Sequence, residues 1–275
     1  MFNRRVDGTL CRDVPAYRRI MPYLIRGRNE GAFYFDQEVD LTKTEPFIEK
    51  FNAAHPDTKI TIFHVVLWAA LQTYQQRPRL NRFVAGGKLW QRNGIDVSFS
   101  AKKRFDDDSP VFVVKRRFEA GQSLEEIVDY LYSDLKEGRS DKKSHTDKEL
   151  DLFLKLPGPL LRFVVALERL ADAMGLLPRF YIDGDPMFCS IFIANLGSLK
   201  MEGGFHHLFE YGNCPIFCVI GQTKDAPVVR DGELAVGRVA HLRWSYDERV
   251  EDGLYAQAAL EQLRAMVEDP EGAGA

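Results

Sequence analysis

The hydrophobic residues of this chain switch repeatedly between a period of two and a helical period. Residues 33–39 alternate apolar and polar side chains, as a half-buried strand does. Residues 61–76 carry apolar side chains at helical spacing, and Pro78 follows them. Since no Pro/Ser/Gly-rich linker and no internal repeat divides the 275 residues, the pattern predicts one α/β domain spanning residues 1–275.

Turn and capping signals predict further elements. Gly86-Gly87 between two apolar runs predicts a hairpin, and residues 95–101 and 110–118 predict two strands. Ser123 and Glu126 form a capping-box pattern at the start of a helix. The C-terminal third predicts strands at residues 187–194, 215–221 and 236–245 and a closing helix at residues 255–268.

Residues 150–177 form the most apolar stretch, which Pro157-Gly158-Pro159 interrupts. Most of its apolar residues fit one helical face, which predicts a helix that packs on the core. These residues are Leu160, Leu161, Val164, Leu167, Ala171 and Met174. The alternative is a membrane-surface or partner-binding helix, because the stretch is unusually apolar for so short an element. The polar residues 138–148 before it predict an exposed loop.

Composition excludes several classes of protein. The chain has 37 Lys and Arg against 40 Asp and Glu, a formal net charge of −3, which argues against a nucleic-acid-binding protein with a basic surface. Its 4 cysteines are too few for a disulfide scaffold. The sequence shows neither a signal peptide nor a run of about 18 apolar residues, so we expect a cytoplasmic protein without a transmembrane helix.

The last third carries four motifs in a fixed order, at residues 192–197, 215–221, 227–234 and 246–253. The first, Phe-Ile-Ala-Asn-Leu-Gly, ends a strand, and the last, Tyr-Asp-Glu-Arg-Val-Glu-Asp-Gly, leads into the closing helix. This order resembles the catalytic core of the dihydrolipoamide acyltransferases of 2-oxoacid dehydrogenase complexes, and it is similar to that of chloramphenicol acetyltransferase. The resemblance covers residues 15–270, and residues 138–181 are longer and more apolar than in those cores.

The resemblance implies a chloramphenicol acetyltransferase-like fold, a mixed sheet with flanking helices, assembled as a homotrimer. It implies an active site in a channel between subunits, where acyl groups pass between a coenzyme A thiol and a lipoyl thiol or a hydroxyl. Coenzyme A or acyl-coenzyme A is the implied cofactor, and no group is bound covalently. We expect no lipoyl or subunit-binding domain beside the core, and therefore an acyl carrier or a protein partner in trans.

The chain departs from the family at two catalytic positions. In the family motif His-x-x-x-Asp-Gly, Glu248 takes the histidine position, while Asp252 and Gly253 are retained. Ala194 takes the position of the Ser/Thr hydroxyl that donates to the oxyanion, and the matching Asn195 follows it. Loss of a positioned base costs about 10²–10⁴-fold in rate, and loss of an oxyanion donor about 10²–10³-fold. We therefore expect a pseudoenzyme, a trimeric scaffold or binding protein on an acyltransferase framework.

An altered mechanism is the alternative. Burial that raises the pKa of Glu248 toward 7 would make it a usable base. Otherwise we expect Glu248 to pair with Arg243, Arg249 or another cation in an inactive channel.

Three more residues are candidates to supply the missing base and the missing hydroxyl. His206 and His207, in the loop between two active-site strands, are the candidate replacement base, and Ser198 is the candidate replacement hydroxyl. The same three are the candidates for cofactor binding. No spacing of His and Cys matches a zinc site, so we expect no metal. The weakest alternative is a membrane-surface protein that uses residues 152–177.

Overall fold

A seven-stranded mixed sheet forms the centre of the protein, which a computed structural model describes over residues 3–102, 111–119, 121–138, 155–230 and 232–275. The strands are β1 (Gly8–Leu10), β2 (Ala32–Asp40), β3 (Arg82–Ala85), β4 (Lys88–Arg92), β5 (Ile95–Lys102), β6 (Val111–Phe118), β7 (Ile191–Asn195), β8 (Ile216–Ile220), β9 (Lys224–Arg230) and β10 (Glu233–Asp247). The helices are α1 (Ala16–Leu24), α2 (Thr44–Ala54), α3 (Ile62–Gln76), α4 (Leu124–Gly138), α5 (Gly158–Met174), α6 (Arg179–Gly184) and α7 (Gly253–Glu268).

The strand order of the large sheet is β2-β10-β8-β7-β5-β6, with β9 paired to β10. Strand β7 runs parallel to both β5 and β8, and the remaining pairs are antiparallel. Strands β7 and β8 therefore lie in the middle of the sheet, which explains their continuous apolar sequences. Strands β1, β4 and β3 form a second, three-stranded sheet. The expected mixed sheet with flanking helices is confirmed.

The main core lies between the large sheet and helices α3 and α7. Leu67 and Ala70 of α3, Leu260 and Leu263 of α7, and Trp244 of β10 are buried in one cluster. Helix α3 follows Thr61 and ends at Gln76, as its apolar spacing predicts. The capping box also forms, because the N–H of Ser123 donates to Glu126 and the N–H of Glu126 donates to Ser123 Oγ.

The predicted hairpin at Gly86-Gly87 joins β3 to β4 and touches α5. Gly86 has a φ of 57°, and a Cβ at this position would lie 2.0 Å from the carbonyl oxygen of Ala173. Only glycine combines the left-handed backbone with this close approach. The hairpin thereby fixes the C-terminal end of α5 against the small sheet.

Helix α5 contradicts the prediction that it packs in the core, because none of its residues is buried. Leu161 and Val164 are half-buried against the body of the protein, whereas Leu160 and Leu167 of the same predicted face are exposed. Helical periodicity identifies the helix but does not determine how much of it is covered. The predicted loop at 138–148 lies, except for its first residue, outside the described residues. None of the described helices has the length and apolarity to cross a membrane.

Helix α3 contains a buried histidine that makes stability depend on pH. The N–H of Thr61 donates to His64 Nδ1 at 3.1 Å, and Nε2 is buried without a partner among the described residues. Burial lowers the pKa of His64 to about 4, whereas an unfolded chain keeps a value of about 6.5. Between these two pKa values the His64 ring is protonated in the unfolded chain and neutral in the folded chain. The folded state therefore loses stability as pH falls from 6.5 to 4.

We expect the free energy of unfolding to fall by about 2–3 kcal/mol between pH 7.5 and pH 4.5 through His64 alone. The measurement is urea unfolding at both pH values. His64→Gln is the control, since glutamine does not titrate and can still accept from Thr61. An identical pH dependence in the two proteins would contradict the assignment.

Candidate active site

Glu248 lies in the turn between β10 and α7, and its backbone is held from both sides. Its N–H donates to the carbonyl oxygen of Gly31 at 2.9 Å, and its own carbonyl oxygen accepts from Arg18 Nη1 at 2.6 Å. The side chain is half-buried. Within the described residues, its carboxylate has no hydrogen-bond or ion-pair partner. The turn thus presents an unpaired carboxylate on a fixed backbone.

Neither arginine that the sequence suggests as a partner pairs with the Glu248 carboxylate. Arg249 makes a two-point ion pair with Asp247, with Nε–Oδ1 and Nη2–Oδ2 distances of 2.8 Å, and both residues are buried. Arg243 Nε donates to Asp36 Oδ1 at 3.3 Å. The predicted pairing of Glu248 with Arg243 or Arg249 is therefore wrong, because each arginine already has a carboxylate of its own.

Asp252 begins the closing helix. Its Oδ1 accepts from the N–H of Tyr255 at 2.9 Å, and this hydrogen bond is the main reason that the pKa of Asp252 lies below its ordinary value. A side-chain cap of this kind contributes about 0.5–2 kcal/mol to stability. Arg18 Nη2 lies 4.0 Å from Asp252 Oδ2. The Asp-Gly pair thus has a structural role at the start of α7.

Ala194 and Asn195 end strand β7. Ala194 is buried, and its methyl group belongs to an apolar cluster that includes Phe217 and Val219. Asn195 Oδ1 accepts from the N–H of Ser198 at 3.2 Å, while its Nδ2 has no hydrogen-bond partner in the described part of the chain. Asn195 therefore keeps one amide donor that a ligand can use, whereas Ala194 supplies none.

Ser198 does not offer a free hydroxyl proton. Its Oγ donates to the carbonyl oxygen of Asn195 at 2.8 Å and so fixes the loop after β7. The same loop is held against the neighbouring segment at Gly197, where a Cβ would lie 2.5 Å from the carbonyl oxygen of Gly221. The candidate replacement hydroxyl is thus occupied by a structural hydrogen bond.

One chain does not bring Ala194 and Glu248 together. The register aligns Ala194 with Val219 of β8, and Val219 with Arg243 of β10. Glu248 follows Arg243 by five residues, roughly 16 Å along the strand, and two strand spacings add about 10 Å across the sheet. A single site that contains both positions therefore requires a second copy of the chain.

His206 is the candidate histidine that packs on the Ala194 face of the sheet. Its ring stacks on Phe217 with 4.0 Å between centroids and 5° between planes. Its Nδ1 lies 2.8 Å from the carbonyl oxygen of His207, and because a carbonyl only accepts, Nδ1 carries the proton and Nε2 is the acceptor. Burial lowers the pKa of His206, which favours the neutral ring near pH 7. His207 itself is exposed.

A cleft of about 190 Å³ lies between α1 and α5 and reaches Arg249, the residue after Glu248. Its lining includes Arg26, Arg28 and Arg169, but neither Glu248 nor Ala194. Arg28 is buried and donates through Nη1 to the carbonyl oxygen of Phe209 at 2.7 Å. Within the described ranges, no group of three or more His, Cys, Asp or Glu side chains is placed to hold a metal ion.

Sequence comparisons connect this site with known acyltransferases. Residues 189–275 match the family model of the 2-oxoacid dehydrogenases acyltransferase (catalytic domain). The lipoamide acyltransferase component of the branched-chain alpha-keto acid dehydrogenase complex of Pseudomonas putida is 22% identical over 278 residues, 98% of this chain and 54% of that protein. The succinyltransferase component of the 2-oxoglutarate dehydrogenase complex of Cupriavidus necator is 38% identical over 60 residues, 21% of this chain and 14% of that protein. The chain thus spans about half or less of these curated relatives.

Solved structures agree over almost the whole chain. The dihydrolipoamide acetyltransferase of Azotobacter vinelandii, whose catalytic mechanism was investigated through a serine, a histidine and an asparagine, has a TM-score of 0.62 and 18% identity, over 96% of this chain and 94% of that chain. The probable dihydrolipoamide acetyltransferase of Listeria monocytogenes has a TM-score of 0.61 and 17% identity, over 94% of each chain. This chain has the fold of a dihydrolipoamide acyltransferase core. The resemblance inferred from the motif order is confirmed.

Chloramphenicol acetyltransferase shares the acyltransferase fold with a TM-score of 0.53 and 12% identity, over 93% of this chain and 95% of that chain. The limits of the resemblance at residues 15 and 270 stay a prediction, since the family model matches the last third alone.

The sequence did not reveal the residues that hold the Glu248 turn of this acyltransferase fold. Arg18 lies 230 positions before Glu248 and donates to its carbonyl oxygen. Gly31 accepts the Glu248 N–H from a turn before β2. The one available signal was the alternation of acid and base in Asp247-Glu248-Arg249, which is compatible with many pairings.

Proposed function

We propose that this protein is a homotrimeric acyltransferase-fold binding protein that does not transfer acyl groups by the family's route. The observation that carries the proposal is the environment of Ala194. Its methyl group is buried among Phe217, Val219 and other apolar side chains, at the position where the family's mechanism needs a hydroxyl. An oxyanion that formed beside this methyl group would have no side-chain donor from position 194.

The unpaired carboxylate of Glu248 supports the same proposal. A carboxylate has a reference pKa of about 4.3, against about 8.5 for a thiol, so it is a poor base for generating a thiolate. It also repels the thiolate that it would have to form.

The separation of the two positions supports an oligomer, for which the resemblance implies three chains. Ala194 and Glu248 lie roughly 16 Å apart along the strands and about 10 Å across them, so the channel that the resemblance implies needs two chains. We propose that this channel binds coenzyme A or an acyl carrier supplied in trans. Asn195 Nδ2, which has no partner in the described part of the chain, is the donor that the channel offers to such a ligand.

A second candidate function is an active acyltransferase with a different base. His206 favours it, because Nδ1 carries the proton and Nε2 is left as an acceptor on the Ala194 side of the sheet. Glu248 is the other candidate base, although the reference pKa of a carboxylate lies further from that of a thiol than the reference pKa of an imidazole does.

An acyl-transfer assay on the purified full chain separates the two candidates. Acetyl-coenzyme A and dihydrolipoamide are the substrates, and the thioester product is measured. We expect the unsubstituted protein to be no faster than Glu248→Gln or His206→Gln, with His207→Gln as the matched control for the loop. Measurable turnover that only His206→Gln abolishes would assign His206 as the base and overturn the binding-protein proposal. Turnover that only Glu248→Gln abolishes would assign Glu248 and overturn it as well.

A further inference from the structure

Helix α5, the turn after it and the start of α6 present an apolar surface, which we call the α5 surface. No residue of α5 is buried. The surface consists of six large apolar side chains whose exposed fractions run from 45% to 79%: Leu160, Phe163, Leu167, Leu170, Leu176 and Phe180. Monomeric proteins rarely leave so many neighbouring apolar side chains in water. We therefore expect a partner to cover the α5 surface.

The apolar side chains of α5 follow one line along the helix. Leu160, Phe163, Leu167 and Leu170 are spaced by three, four and three residues, which places them on one side of an α-helix. Leu161 and Val164 lie on the other side, half-buried against the protein body. The helix is thus attached by one side and exposes a continuous apolar stripe on the other.

Cations border this stripe. Lys155, Arg162 and Arg169 are exposed and have no acidic partner in the described part of the chain. Arg162 and Arg169 are seven residues apart, so they lie on the same side of the helix, beside the apolar line. The two acids of α5 are engaged elsewhere, because Asp172 is paired with Arg5 at 2.7 Å and the half-buried Glu168 hydrogen-bonds with Tyr181 and Tyr211. The Arg162 side of the stripe is therefore basic.

The charge favours one partner over the others. A second copy that presented its own α5 surface would bring Arg162 and Arg169 to this border, and the positions that flank the stripe, Ala166 and Ala173, offer no acid to pair with them. A contact with a different face of a second copy is the case that the native mass of the stripe variant tests. An anionic lipid surface supplies negative charge and a hydrophobic layer together. Helices with an apolar face and basic borders lie in the boundary between headgroups and acyl chains, with the apolar face about 5–10 Å deep.

We propose that the α5 surface docks on an anionic lipid bilayer. The stripe from Leu160 to Leu170 enters the boundary between headgroups and acyl chains. Lys155, Arg162 and Arg169 remain at the level of the headgroups, where each cation near an anionic surface contributes roughly a fivefold gain in affinity. Arg169 also lines the cleft with Arg26, together with the acids Glu168, Asp172 and Glu210. This inference is independent of acyl transfer.

Vesicle co-sedimentation of the full chain tests the proposal. The two vesicle types are phosphatidylcholine alone and phosphatidylcholine with about one third phosphatidylglycerol. At about 0.1 M salt we expect roughly tenfold or more tighter binding to the anionic vesicles, and a marked loss near 1 M salt, where the Debye length is about 3 Å. No sedimentation with either vesicle, or equal binding to both, would overturn the proposal.

Matched variants locate the contact. Phe163→Asp with Leu167→Asp removes apolar area from the stripe at exposed positions, so the fold is preserved and binding should fall roughly tenfold or more. Leu234→Asp, which alters a side chain that is 78% exposed in β10, should leave binding unchanged. Arg162→Gln with Arg169→Gln should weaken binding to the anionic vesicles by roughly 20-fold and leave binding to neutral vesicles unaltered.

Three further outcomes would reject the bilayer as the partner. Equal losses in Leu234→Asp and in the stripe variant would show non-specific adsorption. A lower native mass in the stripe variant, without a change in vesicle binding, would assign the α5 surface to contacts between copies of the chain. Full competition by millimolar inorganic phosphate would indicate a free-anion site at Arg26 and Arg169.

Discussion

The double variant Glu248→His with Ala194→Ser is expected to transfer acetyl groups from acetyl-coenzyme A to dihydrolipoamide roughly 10²–10⁴-fold faster than the unsubstituted protein. The imidazole supplies a base whose pKa of about 6.5 lies nearer to that of a thiol. The hydroxyl supplies the donor that the Ala194 methyl group lacks. The remaining framework, including the Asp252 cap and the Asn195 donor, is already present.

The control for this gain is Glu248→Gln with Ala194→Ser. It removes the same negative charge and adds the same hydroxyl, but it introduces no base. Equal rates in the two double variants would show that an imidazole at position 248 does not reach the reacting thiol, and the assignment of the histidine position would then fail. Because Ala194 packs in an apolar cluster, the urea midpoint of each variant should be measured beside its rate.

Asp247→Ala is expected to lower the free energy of unfolding by about 3–5 kcal/mol. The Asp247 and Arg249 side chains are 1% and 5% exposed, and the substitution leaves a buried guanidinium without its carboxylate. Arg249 also donates from Nη1 to the carbonyl oxygens of Ile25 and Arg26, at 3.3 Å each. These neutral acceptors do not replace a carboxylate. Urea unfolding monitored by tryptophan fluorescence measures the loss.

Asp247→Leu with Arg249→Met is the matched control. It removes both charges and fills similar volumes, so we expect it to be more stable than Asp247→Ala despite carrying one more substitution. A double variant that is less stable than the single one would show that the carbonyl contacts of Arg249, rather than its ion pair, stabilise the turn. If Asp247→Ala does not fold, a folded double variant shows by itself that removing both charges is less destabilising than removing one.

Most of the sheet and the helices were predictable because local periodicity reports them. The alternation at residues 33–39 corresponds to β2, the apolar spacing at residues 61–76 to α3, and the glycine pair to the hairpin between β3 and β4. The burial of α5 was not predictable, since the period of an amphipathic helix gives the direction of its apolar side without showing what covers it. The sequence therefore did not show that the Leu160 side of α5 faces solvent.

The motif order selects Ala194 and Glu248 as site positions, and their catalytic correspondence stays a prediction. The arrangement around them was not predictable, because the contacts of Glu248 come from residues far away in sequence. Arg18 and Gly31 reach the turn from the opposite end of the chain. Arg249, the neighbour that the sequence offered, is paired with Asp247 instead. Contacts of this range carry no local pattern.

The Asp247–Arg249 ion pair and the Asp252 cap also change the diagnostic value of the motif around residue 248. Both features stabilise the fold, so a chain has a reason to keep Asp-x-Arg and Asp-Gly after acyl transfer has been lost. A sequence search that weights these positions would score a chain as an enzyme whether or not it keeps the reacting groups. For proteins of this fold, the single residue between Asp247 and Arg249 is therefore more informative about activity than the five others from 247 to 252 together.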